Sequence, residues 1–210
     1  NPMEHAEASK IALFSIADYA WNMDAYKSDA SWRRAVRYLM PGHAAALQVF
    51  ASHNSDLGGN EHDFRREESE QIRPALERLL DAYCREGKRE VAAASAVTEE
   101  CERMIASADL LLASDENPAL IKEITPWLIQ FKLLGEYGRE VLCMLAAQCD
   151  GKKTELEKAA SHAKALQVLM KKIDATYNQN GFQPGVKTGS CHLKPAFDRL
   201  YQEVVQRTGK

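Results

Sequence analysis

The 210 residues carry a formal net charge of −3, with 45% hydrophobic and 27% charged side chains. That balance is too apolar for a disordered chain and lacks the basic surplus of a nucleic-acid binder. No apolar run approaches the ~18 residues a membrane-crossing helix needs.

The start, Asn1-Pro2-Met3-Glu4, has neither a charged nor an apolar leader, so no signal peptide is expected; the missing initiator Met leads us to expect further sequence upstream. Five cysteines, at 84, 101, 143, 149 and 191, form no C-x-x-C pair. They read as small buried hydrophobes rather than a disulfide framework or zinc site, and no cofactor is expected.

Apolar residues recur at three and four, never convincingly at two, which predicts helices throughout. The first helix should start at once: Asn1 suits the N-cap, Pro2 the first helical position, and Glu4 the dipole. It carries Met3, Ala6, Ile11, Phe14 and Ala17 or Asp18 toward Trp21. Around Ile11 to Ile16 more than half its circumference is apolar, so it expects partners on two sides. A second helix is predicted over Asp29 to Leu39, capped by Ser28 or Asp29. Met40-Pro41-Gly42 breaks it, because a residue before proline is driven out of the helical region. A third helix runs from Gly42 to His53.

Residues 52–66 (SHNSDLGGNEHDFRR) are polar and turn-rich, the longest predicted loop. Helices follow over Glu67 to Arg85, bent or restarted at Pro74, and over Arg89 to Ala113, with Val97, Cys101, Met104, Ala108 and Leu111 on one face. Asn117-Pro118 restarts the chain into Ile121 to Cys149, with Pro126 tolerated near the start before Trp127, Phe131, Leu134, Val141, Leu142 and Leu145.

Thr154 with Glu157 forms a capping box for a helix to Asn180, whose buried stripe is Leu156, Ala159, Ala163, Leu166, Leu169 or Met170, Ile173 and Tyr177. A second irregular loop, 181–192, leads to a last helix over Leu193 to Arg207. Seven or eight helices with mainly short connections imply an all-α antiparallel bundle.

The chemistry-bearing residues are scattered. His53, Asp56, Glu61, His62 and Asp63 share the long loop and have metal-capable side chains, but no H-E-x-x-H accompanies them, and a packed loop is the plainer reading. Glu67-Glu68, Glu99-Glu100 and Asp115-Glu116 are adjacent pairs, which diverge by about 100° on a helix. They read as dipole complements or solvated faces, as do the basic pairs Arg33-Arg34 and Lys171-Lys172. His5, His43, His162 and His192 stand alone, and Trp21, Trp32 and Trp127 read as core.

One resemblance is specific. Asn1-Pro2-Met3-Glu4, Ala8-Ser9-Lys10 and Ile16-Ala17-Asp18-Tyr19-Ala20-Trp21-Asn22 resemble the end of the catalytic barrel in glycoside hydrolase family 84, the bacterial β-N-acetylglucosaminidases or O-GlcNAcases. His53 to Gly58, Arg65 to Ser69, Ser107-Ala108-Asp109, Glu123 to Trp127, Gln130-Phe131-Lys132 and Asn178-Gln179-Asn180 with Gln183 to Thr188 resemble that family's post-catalytic helical domain.

The resemblance implies a boundary, with 1–22 the end of the barrel or a linking helix and 23–210 the post-catalytic bundle. It implies an upstream (β/α)₈ barrel whose two neighbouring aspartates hydrolyse terminal N-acetylglucosamine by substrate-assisted retention. This chain contains neither that barrel nor that pair. It would buttress the barrel, with a substrate groove or homodimer contact left open.

Asn1 matches a family asparagine that hydrogen-bonds the sugar. Partners would be the barrel and N-acetylglucosamine-bearing glycans or glycoproteins, and bacterial members are commonly exported. Two other readings stand beside this one: an independent protein- or glycan-binding module using the two loops, and a helical metalloenzyme using the His53–Asp63 loop.

Overall fold

The computed structural model describes residues 7, 10–52, 91–150, 153–179, 198 and 201–202. Among them the regular structure is helical and no strand occurs. Six helices run in order: α1 (Lys10–Trp21), α2 (Ser28–Leu39), α3 (Ala44–Ser52), α4 (Val91–Leu112), α5 (Pro118–Asp150) and α6 (Lys153–Gln179). The helix expected over 67–85 lies outside the described residues. The last expected helix is represented by Asp198, Tyr201 and Gln202, all helical.

Each helix packs on the next in the chain. Cross-contacts give the direction. Phe14 meets Tyr38 at 4.8 Å between ring centroids, and Arg34 Nη2 donates to Asp18 Oδ2 at 2.5 Å. Partner numbers fall on α2 as they rise on α1, so the two are antiparallel. Gly135 against Cys101 and Lys132 against Asp109 say the same of α4 and α5.

The predicted faces form one core. Val97, Cys101, Met104, Ala108 and Leu111 on α4 are all buried, as are Trp127, Phe131, Leu134, Val141, Leu142 and Leu145 on α5. On α6, Ala159, Leu166, Leu169 and Ile173 are buried and Ala163 and Met170 pack against them. The side chains of Leu156 and Tyr177 lie outside the described set. Each large side chain of this kind contributes about 1.5–3 kcal/mol on burial. Phe50 on α3 meets Phe131 edge-on, at 5.3 Å and 73°, which ties α3 to α5.

Helix ends correct several expectations. Asn1, Pro2 and Glu4 lie outside the described residues, and α1 is described from Lys10, whose N–H reaches Glu7 O at 3.2 Å. Helix α2 already includes Ser28. Its N-cap is Lys27, in extended backbone with no side-chain cap bond, and Asp29 instead sits in the first turn, where it complements the dipole. Met40 ends α2 at φ −146, as a residue before proline should. Helix α3 begins at Ala44 rather than Gly42, with the His43 carbonyl accepting the Leu47 N–H at 3.0 Å.

Helix α5 begins at Pro118 rather than Ile121, because Asn117 Oδ1 accepts the Leu120 N–H at 3.2 Å and a proline fits the position after such a cap. Pro126 consequently lies well inside the helix, where it cannot donate to the Lys122 carbonyl. Burial of Ile124, Trp127, Leu128 and Phe131 on either side offsets that loss. Helix α6 begins at Lys153, which puts Thr154 within the first turn rather than at the cap.

Candidate functional site

Of the residues singled out for chemistry, Asn1 and the whole set His53, Asp56, Glu61, His62 and Asp63 lie outside the described residues, as do His5 and His192. Among the described residues no group of three or more His, Cys, Asp or Glu side chains is placed to hold a metal ion. What the structure does bring together is a polar joint at one end of the bundle, where the α2–α3 connection meets the α4–α5 connection.

Two chain breaks build this joint. Gly42, just past the Met40-Pro41 break, donates its N–H to Glu116 Oε1 at 2.7 Å. His43 Nδ1 lies 2.9 Å from Glu116 Oε2 and 3.3 Å from Ser114 Oγ. Ser114 Oγ in turn accepts the Glu116 N–H at 3.2 Å. Asn117 Nδ2 donates to Leu39 O at 3.3 Å, which caps the end of α2 while its other amide atom caps the start of α5.

Serine, histidine and glutamate together invite comparison with a nucleophile relay. In such a relay the acid and the nucleophile occupy opposite ring nitrogens. Here both face Nδ1, so the arrangement is a clasp between two turns. His43 therefore does not stand alone, and Glu116 is more than a solvated acid.

The main-chain N–H of Gly42, followed by His43, holds the Glu116 carboxyl below the ordinary value of 4.5. A carboxylate depressed in the fold adds stability above its unfolded pKa and loses it as pH falls through the folded one. We expect Glu116→Gln to lower the unfolding midpoint at neutral pH. The gap to wild type should close as the buffer drops below 4.5 in a thermal-melt series. An equal gap across the series would show that the charge plays no part.

Other polar contacts brace the helices. His162 Nδ1 on α6 lies 2.6 Å from Glu140 Oε2 on α5. The Ser31 hydroxyl, then Arg34, keep the Asp18 carboxyl below its usual range. Glu100 is buried against Arg103 while its neighbour Glu99 is exposed and accepts from Ser95 Oγ at 2.9 Å. The pair thus diverges as helical geometry demands, though only Glu99 is solvated.

Tyr137 is fully buried and its hydroxyl donates to Asp198 Oδ1 at 2.8 Å, which ties Asp198 to α5. Burial, then this bond, raise the tyrosine pKa well above normal. Burial also pushes the Cys101 thiol up to about 12, which suits a packing residue and not a nucleophile. Cys143 is half-buried, Cys84 and Cys191 lie outside the described residues, and the side chain of Cys149 lies outside the described set. Trp32 and Trp127 are buried as expected. Trp21 is not: it is 92% exposed, a direct correction to its reading as core.

The helical architecture has known counterparts. The family model for the bacterial GH84 post-catalytic domain matches residues 68–201, more than half of the chain. The chain belongs to this family. A second family model, beta-N-acetylglucosaminidase, matches residues 1–52. The GH84 post-catalytic match therefore takes in α4 to α6, and the other takes in α1 to α3.

Among solved structures, CpGH84D is 26% identical with a TM-score of 0.75, over 96% of this chain and 33% of that one. CpGH84B is 19% identical with a TM-score of 0.73, over 93% of this chain and 32% of that one. A Thermobaculum terrenum O-GlcNAc hydrolase mutant is 20% identical with a TM-score of 0.70, over 97% and 41%. The latter two support the fold alone. This GH84 chain spans about a third to two-fifths of the length of those structures.

Proposed function

We propose that the chain is the bracing, non-catalytic part of a β-N-acetylglucosaminidase. A catalytic barrel linked to it in the same polypeptide would remove terminal N-acetylglucosamine from glycans or glycoproteins by substrate-assisted retention. The observation that carries this reading is the order of the two family matches, beta-N-acetylglucosaminidase over 1–52 and post-catalytic domain over 68–201, on a chain a third to two-fifths as long as its structural relatives.

In that enzyme Asn1 would hydrogen-bond the sugar, residues 1–22 would close or link the barrel, and 23–210 would form the bundle. Export from a bacterial cell fits the same reading. The described residues support a bracing role because three of their polar contacts join separate elements: the Glu116 clasp, His162 with Glu140, and Tyr137 with Asp198.

The purified 210-residue chain should give no turnover of an aryl N-acetylglucosaminide, while the parent enzyme turns it over. Turnover by the chain alone, sensitive to substitution of its own residues, would end the bracing reading. A parent inactive on every N-acetylglucosaminide would end the enzymatic one.

A further inference from the structure

One hydrogen bond crosses between the two family matches. Glu7 donates its main-chain N–H to Glu123 Oε2 at 3.1 Å, over a separation of 116 residues. Glu123 stands on α5, within the stretch matched by the post-catalytic model, and Glu7 within the stretch matched by the beta-N-acetylglucosaminidase model. An N–H donated to a carboxylate is charge-assisted and about twice as strong as a neutral hydrogen bond.

Both ends of the bond are fixed. Besides its N–H, Glu7 commits its carbonyl to the Lys10 N–H at 3.2 Å and its carboxylate to Lys10 Nζ at 2.5 Å. Ile11, one residue further, is fully buried in the core. On α5 the neighbours Ile121, Ile124 and Trp127 are buried, so Glu123 projects from a packed helix. A side chain carried by such a helix is held more precisely than one on a loop. We infer that Glu123 is a positioning residue for the hydrolytic reaction. By fixing the main chain at Glu7 it sets the placement of the segment that carries Asn1, six residues upstream, and with it the bond from Asn1 to the sugar. This rests on the reading given under Proposed function, in which Asn1 contacts N-acetylglucosamine. The post-catalytic bundle then contributes to sugar affinity through one carboxylate, in addition to bracing.

The test is made in the parent enzyme with Glu123→Ala, Glu123→Gln, Asn1→Ala and the double variant Asn1→Ala with Glu123→Ala. Turnover of an aryl N-acetylglucosaminide is measured at a temperature where calorimetry shows every variant folded. Glu123→Ala should raise KM on the order of tenfold with kcat little changed, the mark of a lost contact that holds ground state and transition state alike. Glu123→Gln keeps an oxygen that accepts the Glu7 N–H and should stay close to wild type. In the Asn1→Ala background, Glu123→Ala should add nothing further, because two residues that act through one contact are not additive. Where the alanine variant does not fold, Glu123→Met takes its place: it fills the same space with no oxygen acceptor, and the same outcomes apply.

An unchanged KM in Glu123→Ala would overturn the inference. So would a rise that persists undiminished in the Asn1→Ala background, which would assign Glu123 to holding α1 alone. An Asn1→Ala variant with wild-type kinetics would overturn it as well. A parent inactive on every N-acetylglucosaminide ends the functional reading and this inference together, whereas an active parent insensitive to Glu123→Ala ends the inference alone.

Discussion

Gly135→Ala is expected to lower the unfolding midpoint of the chain, even though it replaces a poor helix former with the best one. In an open helix the exchange would add about 0.8–1.0 kcal/mol of stability. At this position α4 and α5 make a close crossing. A Cβ on Gly135 would stand 2.9 Å from the Cys101 carbonyl oxygen, 3.0 Å from Ile105 Cγ1 and 3.2 Å from Met104 Cβ. The first of these is backbone, and the third is fixed to backbone, so neither can swing aside. Helix α4 itself must move, while Met104, Ala108 and Leu111 are packed into the core on the same helix.

Overpacking of a tight core costs about 1–3 kcal/mol, which exceeds the propensity gain. The alanine variant should therefore lose a few degrees at roughly 2–4 °C per kcal/mol for a chain of this size. Gly135→Leu places three further carbons in the same gap and should abolish the cooperative transition, leaving helical far-ultraviolet dichroism without fixed near-ultraviolet signals. Thermal melts of both variants decide the matter. A midpoint raised by alanine would mean that α4 and α5 are free to separate and that the crossing is not a constraint.

How much of this was legible beforehand follows from the range of each signal. The α4 face from Val97 to Leu111 was readable because a helix buried on one side writes its environment into a local period. The same period on α1 names which residues share a face but not whether a partner reaches that face, and Trp21 is exposed.

The clasp was invisible for a different reason. His43 and Glu116 lie 73 residues apart and meet only because antiparallel packing brings two connections to one end of the bundle. A signal did exist: Met40-Pro41-Gly42 and Asn117-Pro118 are both breaks, and a carboxylate beside one break can satisfy the free N–H groups at the other. Helix α5 starts three residues before Ile121 because the Asn117 side chain fixes its first turn, a cap that the apolar period does not reveal. The family came from long shared motifs and not from physics, and the metal-capable loop 52–66 falls almost wholly outside the described residues.

A chain cut to residues 68–201, the stretch matched by the post-catalytic family model, is expected to collapse without reaching a unique fold. The cut removes α1 to α3. With them go Ile11, Met40, Leu47 and Phe50, each at most 1% exposed in the intact chain. Phe131 loses the ring that packs edge-on against it, and Leu39 and Gly42 no longer meet Asn117 and Glu116. Truncating one buried phenylalanine alone costs about 3–5 kcal/mol. The total stability of a domain is about 5–15 kcal/mol, so losing four such side chains and the clasp together leaves no margin.

The expected product is helical by far-ultraviolet dichroism, binds a hydrophobic dye and melts without a cooperative step. The 210-residue chain under the same conditions should melt cooperatively and bind little dye. A sharp transition in the 68–201 piece, with near-ultraviolet signals intact, would show that α1 to α3 only decorate an independent bundle. The expected failure would instead mean that the two family matches meet inside one hydrophobic core, so that a boundary drawn from sequence similarity cuts through a single folding unit.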